Sequence, residues 1–304
     1  MKSPWIAGLR SVALTVPSLN EAERFYTDVW RLEVADRSAG VVYLRGSGKD
    51  HHLLALHEAS GSPKILKVSL RARSEDALNA VARAATAAGG HLEREVAAAQ
   101  DPAGGKSLVL RDPAGRRYEV VCGDALRQPP DPAPLDQPVR LAHAVLNSSD
   151  LPATQRFMEA ALGFVLADRT RIMAFMNCDT DHHTLAIGDS DNSALNHIAF
   201  VMPTLNCVMR GGGRMKDAGH SIEWGPGRHG PGDNAFNYFV DPFGIVIEYT
   251  ADVEQIDGSY QPGGPADWTW PPGRVDQWGI SAPPSARLKE AQRLVTFSPT
   301  EFPT

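Results

Sequence analysis

The chain is decided by two segments, Leu195-Asn196-His197-Ile198-Ala199-Phe200 and Tyr238-Phe239-Val240-Asp241-Pro242-Phe243-Gly244-Ile245-Val246-Ile247-Glu248-Tyr249. Each is strand-like, apolar or alternating, with one ionisable residue set among apolar neighbours: His197 in the first, Glu248 near the end of the second. Asp241-Pro242-Phe243-Gly244 spells a tight turn between two strands. Upstream lies a third strand of this kind, Leu141-Ala142-His143-Ala144-Val145-Leu146, again with a single histidine. A carboxylate buried alone is expensive, so an ionised Glu248 needs a cation or several donors. Taken singly, each histidine is equally an ordinary core residue satisfied by a carbonyl. Taken together, His143, His197 and Glu248 point to one shared divalent metal, and two imidazoles with one carboxylate on one side of iron(II) leave positions open for an organic substrate and for dioxygen.

Working outward, the chain repeats itself. LRSVALTVPSLNEAERFYTDVWRLEVADR from Leu9 aligns with RLAHAVLNSSDLPATQRFMEAALGFVLADR from Arg140, each reading strand, capped helix, strand. Ser18, and Ser149 or Asp150, are the N-cap candidates. Asp50-His51-His52 matches Asp181-His182-His183, and Asp112-Pro113-Ala114-Gly115 matches Asp241-Pro242-Phe243-Gly244, at an offset of about 130 residues. Each copy is itself doubled, since strand, helix and three short strands recur from Ile65, followed by an alanine-rich helix from Glu75 to Ala88. The expected fold is therefore α+β, four βαβββ modules in two tandem domains. Residues 1–125 form the first domain, 126–139 a proline-rich linker, 140–255 the second domain and 256–304 a tail. The tail carries Trp268, Trp270 and Trp278, which predicts that it wraps a domain or a neighbouring subunit and buries them.

A 304-residue chain with 42% hydrophobic and 22% charged residues fits a globular protein of two cores. A formal charge of −6 leaves no basic footprint, which argues against nucleic acid or an anionic membrane as partner and for small molecules. Cys122, Cys178 and Cys207 show neither disulfide nor metal spacing, and the start Met1-Lys2-Ser3-Pro4-Trp5 has no apolar run, so the expected compartment is the cytoplasm.

These residues resemble the vicinal oxygen chelate superfamily, and within it the two-domain type I extradiol ring-cleavage dioxygenases. The resemblance covers about residues 8 to 255 and is most specific at His143, His197, Glu248 and the segment from Gly227-Arg228-His229-Gly230 to Tyr238. It implies curled mixed sheets forming a cup, iron(II) at the triad with manganese(II) as the alternative, and a catechol-type substrate opened with O2 beside its hydroxyls. It also implies a homo-oligomer. His182 then corresponds to the family's acid or base, His229 to a histidine near the substrate, and Tyr238 to a tyrosine on a substrate oxygen. In the first copy the repeat sets Val12 opposite His143, Lys67 opposite His197 and Glu119 opposite Glu248, which implies a half without metal. The same fold also houses glyoxalase-type lyases or isomerases and metal-free binding proteins; the missing ligands of the first copy weigh against the former, the triad against the latter.

Overall fold

The computed structural model describes residues 3–300, so Met1, Lys2 and residues 301–304, the outermost ends of the expected first domain and tail, lie outside the described residues. Four βαβββ modules follow one another. The first is β1 (Ile6–Val16), α1 (Leu19–Arg24) running into one π-helical turn (Phe25–Val29), β2 (Glu33–Ser38), β3 (Val41–Arg45) and β4 (Leu54–Glu58). The second is β5 (Ile65–Ala72), α2 (Glu75–Ala87), β6 (His91–Ala98), β7 (Lys106–Arg111) and β8 (Arg117–Cys122). The third and fourth repeat the pattern: β9 (Arg140–Ser148), α3 (Leu151–Leu162), β10 (Val165–Arg169), β11 (Met173–Asn177) and β12 (Leu185–Asp189), then β13 (Leu195–Val201), α4 (Leu205–Asp217), β14 (Trp224–Arg228), β15 (Ala235–Val240) and β16 (Val246–Ala251). A short α5 (Ala286–Ala291) lies in the tail.

Each pair of modules builds one eight-stranded mixed sheet, ordered β2-β3-β4-β1-β5-β8-β7-β6 in the first half and β10-β11-β12-β9-β13-β16-β15-β14 in the second. The first strands of two modules pair antiparallel at the centre, and each is flanked by a parallel last strand. The helices begin where short polar side chains capture a free amide: Ser18, Ser74, Asp150 and Thr204 accept from the backbone N–H three residues on. The glycines inside α4 cost helix propensity, roughly 1 kcal/mol each, and Gly211 has a visible reason: a Cβ there would sit 2.8 Å from the Tyr249 ring.

Strand register corrects one equivalence. Val12 pairs with Val68 and Ala144 with Ile198, while Ser11 pairs with Ser69 and His143 with Ala199. The counterpart of His143 is Ser11, not Val12, which is a core residue on the other face. A one-residue slip exchanges the faces of a strand. Lys67 does stand opposite His197, and Glu119 opposite Glu248.

The halves are clasped reciprocally. Asp112 and Asp241 each tie their Asp-Pro turn by accepting backbone N–H groups. Asp241 reaches across to accept from the Tyr26 hydroxyl at 2.9 Å, and Arg116, paired with Asp112, donates to the Asn147 carbonyl at 2.8 Å and to Thr154. Trp30, fully buried, stacks on Tyr249 with ring centroids 3.6 Å apart. After β16 the tail crosses the second half and returns to the first, where the Ile65 amide donates to the Thr296 carbonyl and the Ile65 carbonyl accepts from the Ser298 amide. The tail does not bury all of its tryptophans: Trp270 and Trp278 stay 39% and 37% exposed, because the tail presents them along an open cavity and a surface rather than under a core.

Candidate active site

His143 on β9, His197 on β13 and Glu248 on β16 come from three adjacent strands at the centre of the second sheet, all buried. Their ligand-type atoms converge. His143 Nε2 and His197 Nε2 are 3.3 Å apart, and each lies 3.3 Å from Glu248 Oε2. Neither contact to Oε2 is an aligned hydrogen bond, so a buried carboxylate oxygen is left without a donor. One divalent ion about 2.1 Å from each atom would produce this mutual spacing and supply the missing charge. The donor set, two imidazoles and a carboxylate, therefore fits a metal.

Protonation favours the same conclusion. Burial pushes Glu248 upward, but the surrounding imidazoles of His143, His197 and His229 outweigh it and hold the carboxyl well below its usual range. Burial lowers His197 to about 4 despite the attraction of Glu248, so its imidazole is neutral at physiological pH. Neutral imidazole and ionised carboxylate are the forms that ligate.

His143 and His197 open on a cavity of about 670 Å³, within the usual range of small-molecule sites, ~300–1,000 Å³. Its inner wall carries His143, His183, His197, His229 and Tyr238. His229 Nε2 lies 3.0 Å from the Tyr238 hydroxyl and 3.7 Å from Glu248 Oε1, and Tyr238 lies 3.4 Å from His197. Burial and Glu248 push the Tyr238 phenol up, so it remains a donor. The outer part is lined by Phe175, Ile172, Trp224 and the tail residues Trp268 and Trp270, with Arg171 and Arg293 at the edge.

His182 is not brought to this cavity. It is fully buried behind it, with Nε2 2.9 Å from Asp168 and Nδ1 3.0 Å from His183 Nδ1. Its neighbour His183 lines the cavity instead, its ring 4.4 Å from that of His143. The pair occupies a turn before β12, not the strand, so strand alternation does not govern which histidine faces inward. Sequence inspection had only this adjacency to go on. For Trp268 and Trp270 as cavity lining the sequence carried no signal beyond aromatic content.

In the first half the corresponding place is filled by protein charge. Glu119 is fully buried and bound by Lys67 at 2.7 Å, Arg94 at 3.1 Å, Ser69 at 3.1 Å and Ser107 at 3.0 Å. Burial pushes this carboxyl up, but Lys67 and Arg10 hold it at about 2. Among the described residues, His143, His197 and Glu248 are the only group of His, Cys, Asp or Glu side chains gathered closely enough to hold a metal ion.

Fold and site together define a duplicated cup of paired βαβββ modules with a metal-type triad in its second half. Residues 140–249 match the model of the Glyoxalase/Bleomycin resistance protein/Dioxygenase superfamily, and residues 11–121 match a glyoxalase-like domain. A solved structure, the Mn(II)-bound glyoxalase from Novosphingobium aromaticivorans, is 32% identical, with 93% of this chain and 94% of that one covered at a TM-score of 0.86. The chain belongs to this superfamily. Among relatives, metapyrocatechase 2 of Cupriavidus necator is 33% identical over 56% of this chain, a match spanning about half (51%) of the relative's length. Metapyrocatechase of Pseudomonas sp. (strain CF600) is 27% identical over 84% of this chain and 89% of its own. No helix among the described residues is long and apolar enough to cross a membrane.

Proposed function

We propose that the protein is an extradiol dioxygenase that opens the ring of a catechol-type substrate with O2, at iron(II) or, as the alternative, manganese(II), held by His143, His197 and Glu248. The observation that carries this reading is the convergence of three ligand-type atoms 3.3 Å apart, two of them on histidines that line an aromatic-walled cavity. The metapyrocatechase relatives support it. A divalent ion at the triad supplies the Lewis-acid and electron-transfer chemistry that couples a catechol to dioxygen.

The chain's own groups do the rest. His183, kept neutral by burial and by the neighbouring His143 and His182, takes a proton from a catechol hydroxyl at its Nε2 and returns it later. Tyr238 donates its phenol proton to a substrate oxygen and exchanges it with His229 Nε2, 3.0 Å away. Trp268 and Trp270 flank the ring and exclude water from the outer cavity. In this reading residues 140–255 are the catalytic domain, residues 1–125 a metal-free scaffold joined by 126–139, and 256–304 the roof. The enzyme works in the cytoplasm as a homo-oligomer.

A second reading, a glyoxalase-type isomerase, is favoured by the Mn(II)-bound glyoxalase relative. The Lys67–Glu119 pair, in which the first half's counterpart of Glu248 is already bound by a cation, speaks against a further ligand from that position. Anaerobic loading with Fe(II) or Mn(II), followed by oxygen uptake and an absorbance screen of catechols for yellow ring-opened products, tests the proposal. Stoichiometric uptake of O2 with a catechol is expected. Conversion of a hemithioacetal with no oxygen uptake on any catechol would transfer the assignment to the second reading.

A further inference from the structure

Behind the cavity wall runs a chain of polar contacts that the proposed chemistry does not use. Asp168, on β10 and fully buried, accepts from the Gly263 amide at 2.6 Å and from the Tyr260 hydroxyl at 3.0 Å, both in the tail. Its Oδ2 is also 2.9 Å from His182 Nε2. His182 Nδ1 is 3.0 Å from His183 Nδ1, and His183 faces the cavity. We propose that Asp168 and His182 are positioning residues for His183: the tail-enclosed carboxylate fixes the proton on His182, and His182 fixes it on His183, so that His183 presents a bare Nε2 to the cavity.

The inference follows from counting donors. An ionised carboxylate only accepts, so the proton between Asp168 and His182 sits on His182 Nε2. Neutral His182 then has a lone pair on Nδ1, and the contact between the two Nδ1 atoms requires the proton of His183 to be on its Nδ1. The remaining nitrogen, His183 Nε2, carries a lone pair, and no described residue offers it a partner. A histidine fixed in one tautomer by a carboxylate at a distance is a recurrent way to orient a base. Burial and Asp168 push the Tyr260 phenol up, so it stays a donor and the carboxylate stays enclosed.

The duplicated half supplies a comparison within the molecule. His51 and His52 keep the contact between Nδ1 atoms, at 3.1 Å. Asp36 stands where Asp168 stands, pairing with Tyr43 as Asp168 pairs with Phe175, but it is exposed and accepts from the Arg37 amide. His52, the counterpart of His183, has its Nε2 3.3 Å from Arg10 and 4.0 Å from the buried Asp101, which Arg10 binds. The histidine pair is thus common to both copies, whereas among the described residues a buried carboxylate on the first histidine of the pair is found only in the half with the triad, and the tail segment that encloses it has no counterpart in the repeat.

The test is read first on the metal-free, full-length protein by imidazole 15N NMR. His183 is expected with its proton on Nδ1 and a bare Nε2, and His182 with its proton on Nε2. Asp168→Asn puts an amide donor against His182 Nε2, which reverses the sequence and moves the His183 proton to Nε2. In the metal-loaded protein that variant should keep its metal and its KM within a few-fold while kcat falls roughly tenfold or more. Should Asp168→Asn not fold, Tyr260→Phe replaces it: losing a competing donor strengthens the Asp168 bond to His182, and the His182 Nε2 proton should move downfield. Wild-type His183 protonated on Nε2 overturns the proposal, as does an unchanged tautomer and kcat in Asp168→Asn or an unmoved His182 proton in Tyr260→Phe. The inference rests on the role given to His183 above only for the change in kcat. A protein that opens no catechol yet shows the expected tautomers removes the dioxygenase reading and leaves the positioning intact.

Discussion

Glu119→Gln separates the two halves most cleanly. The carboxylate is fully buried, with Lys67 Nζ at 2.7 Å and Arg94 at 3.1 Å, and its pKa is about 2 against an ordinary 4.5. A depression of that size corresponds to about 3 kcal/mol of stability at neutral pH, in line with the roughly 3–5 kcal/mol lost when a buried pair is broken from one side. Because the folded pKa is depressed, the contribution is complete above about 4.5 and disappears as pH falls through about 2. Glutamine keeps the shape but leaves two cations facing a neutral amide. Thermal unfolding at pH 7 should therefore show a midpoint lowered by about 6–10 °C. Metal content and turnover of the folded variant should stay within a few-fold of the parent. Loss of metal, or an unfolding midpoint equal to the parent's, would refute the reasoning that this pair occupies the place a metal takes in the other half.

His143→Ala, His197→Ala or Glu248→Ala should each abolish tight binding of the divalent metal, measured by elemental analysis after dialysis; full occupancy in His197→Ala would remove the triad assignment. His183→Phe should slow turnover about a hundredfold with metal retained, the usual scale for one acid or base, and an unimpaired rate would reassign the base. Burial pushes Asp241 up to about 6, above its usual 3.8, even with Tyr26 donating to it. The folded state thus favours the protonated form, and this group's contribution falls as pH rises from about 4 through 6. Tyr26→Phe should enlarge that loss and cost roughly 1–3 kcal/mol at pH 7; urea unfolding from pH 5 to 8 that is identical in parent and variant would contradict it.

Much of this was legible in the chain because strands announce a buried ionisable group by contrast. His143, His197 and Glu248 each interrupt a run of apolar residues, and the repeat showed Lys67 and Glu119 in matching places. Similarity alone did not locate the partner of His143. The Asp50 and Asp181 matches differ by one residue in offset from the Ser18 and Asp150 caps, and only the hydrogen-bond register distinguishes Ser11 from Val12. The choice of His182 over His183 failed for a related reason: they sit in a turn, where side-chain direction follows no period that can be counted along the sequence. Asp168 looked like any polar residue near a strand end, since the tail groups that enclose it are nearly a hundred residues away.

The returning tail has a further consequence for how such a molecule can diversify. The triad and the fold are written in the repeat, inherited together and held by the clasp between the two halves. Trp268 and Trp270, which line the cavity, are written in a segment outside the repeat. Changes in that segment can reshape what the cavity admits without touching a single strand that carries the triad. Part of the cavity lining and the triad thus sit on separately mutable stretches of one gene, and Thr296 and Ser298, bonded back to Ile65, keep the two in register while one of them drifts.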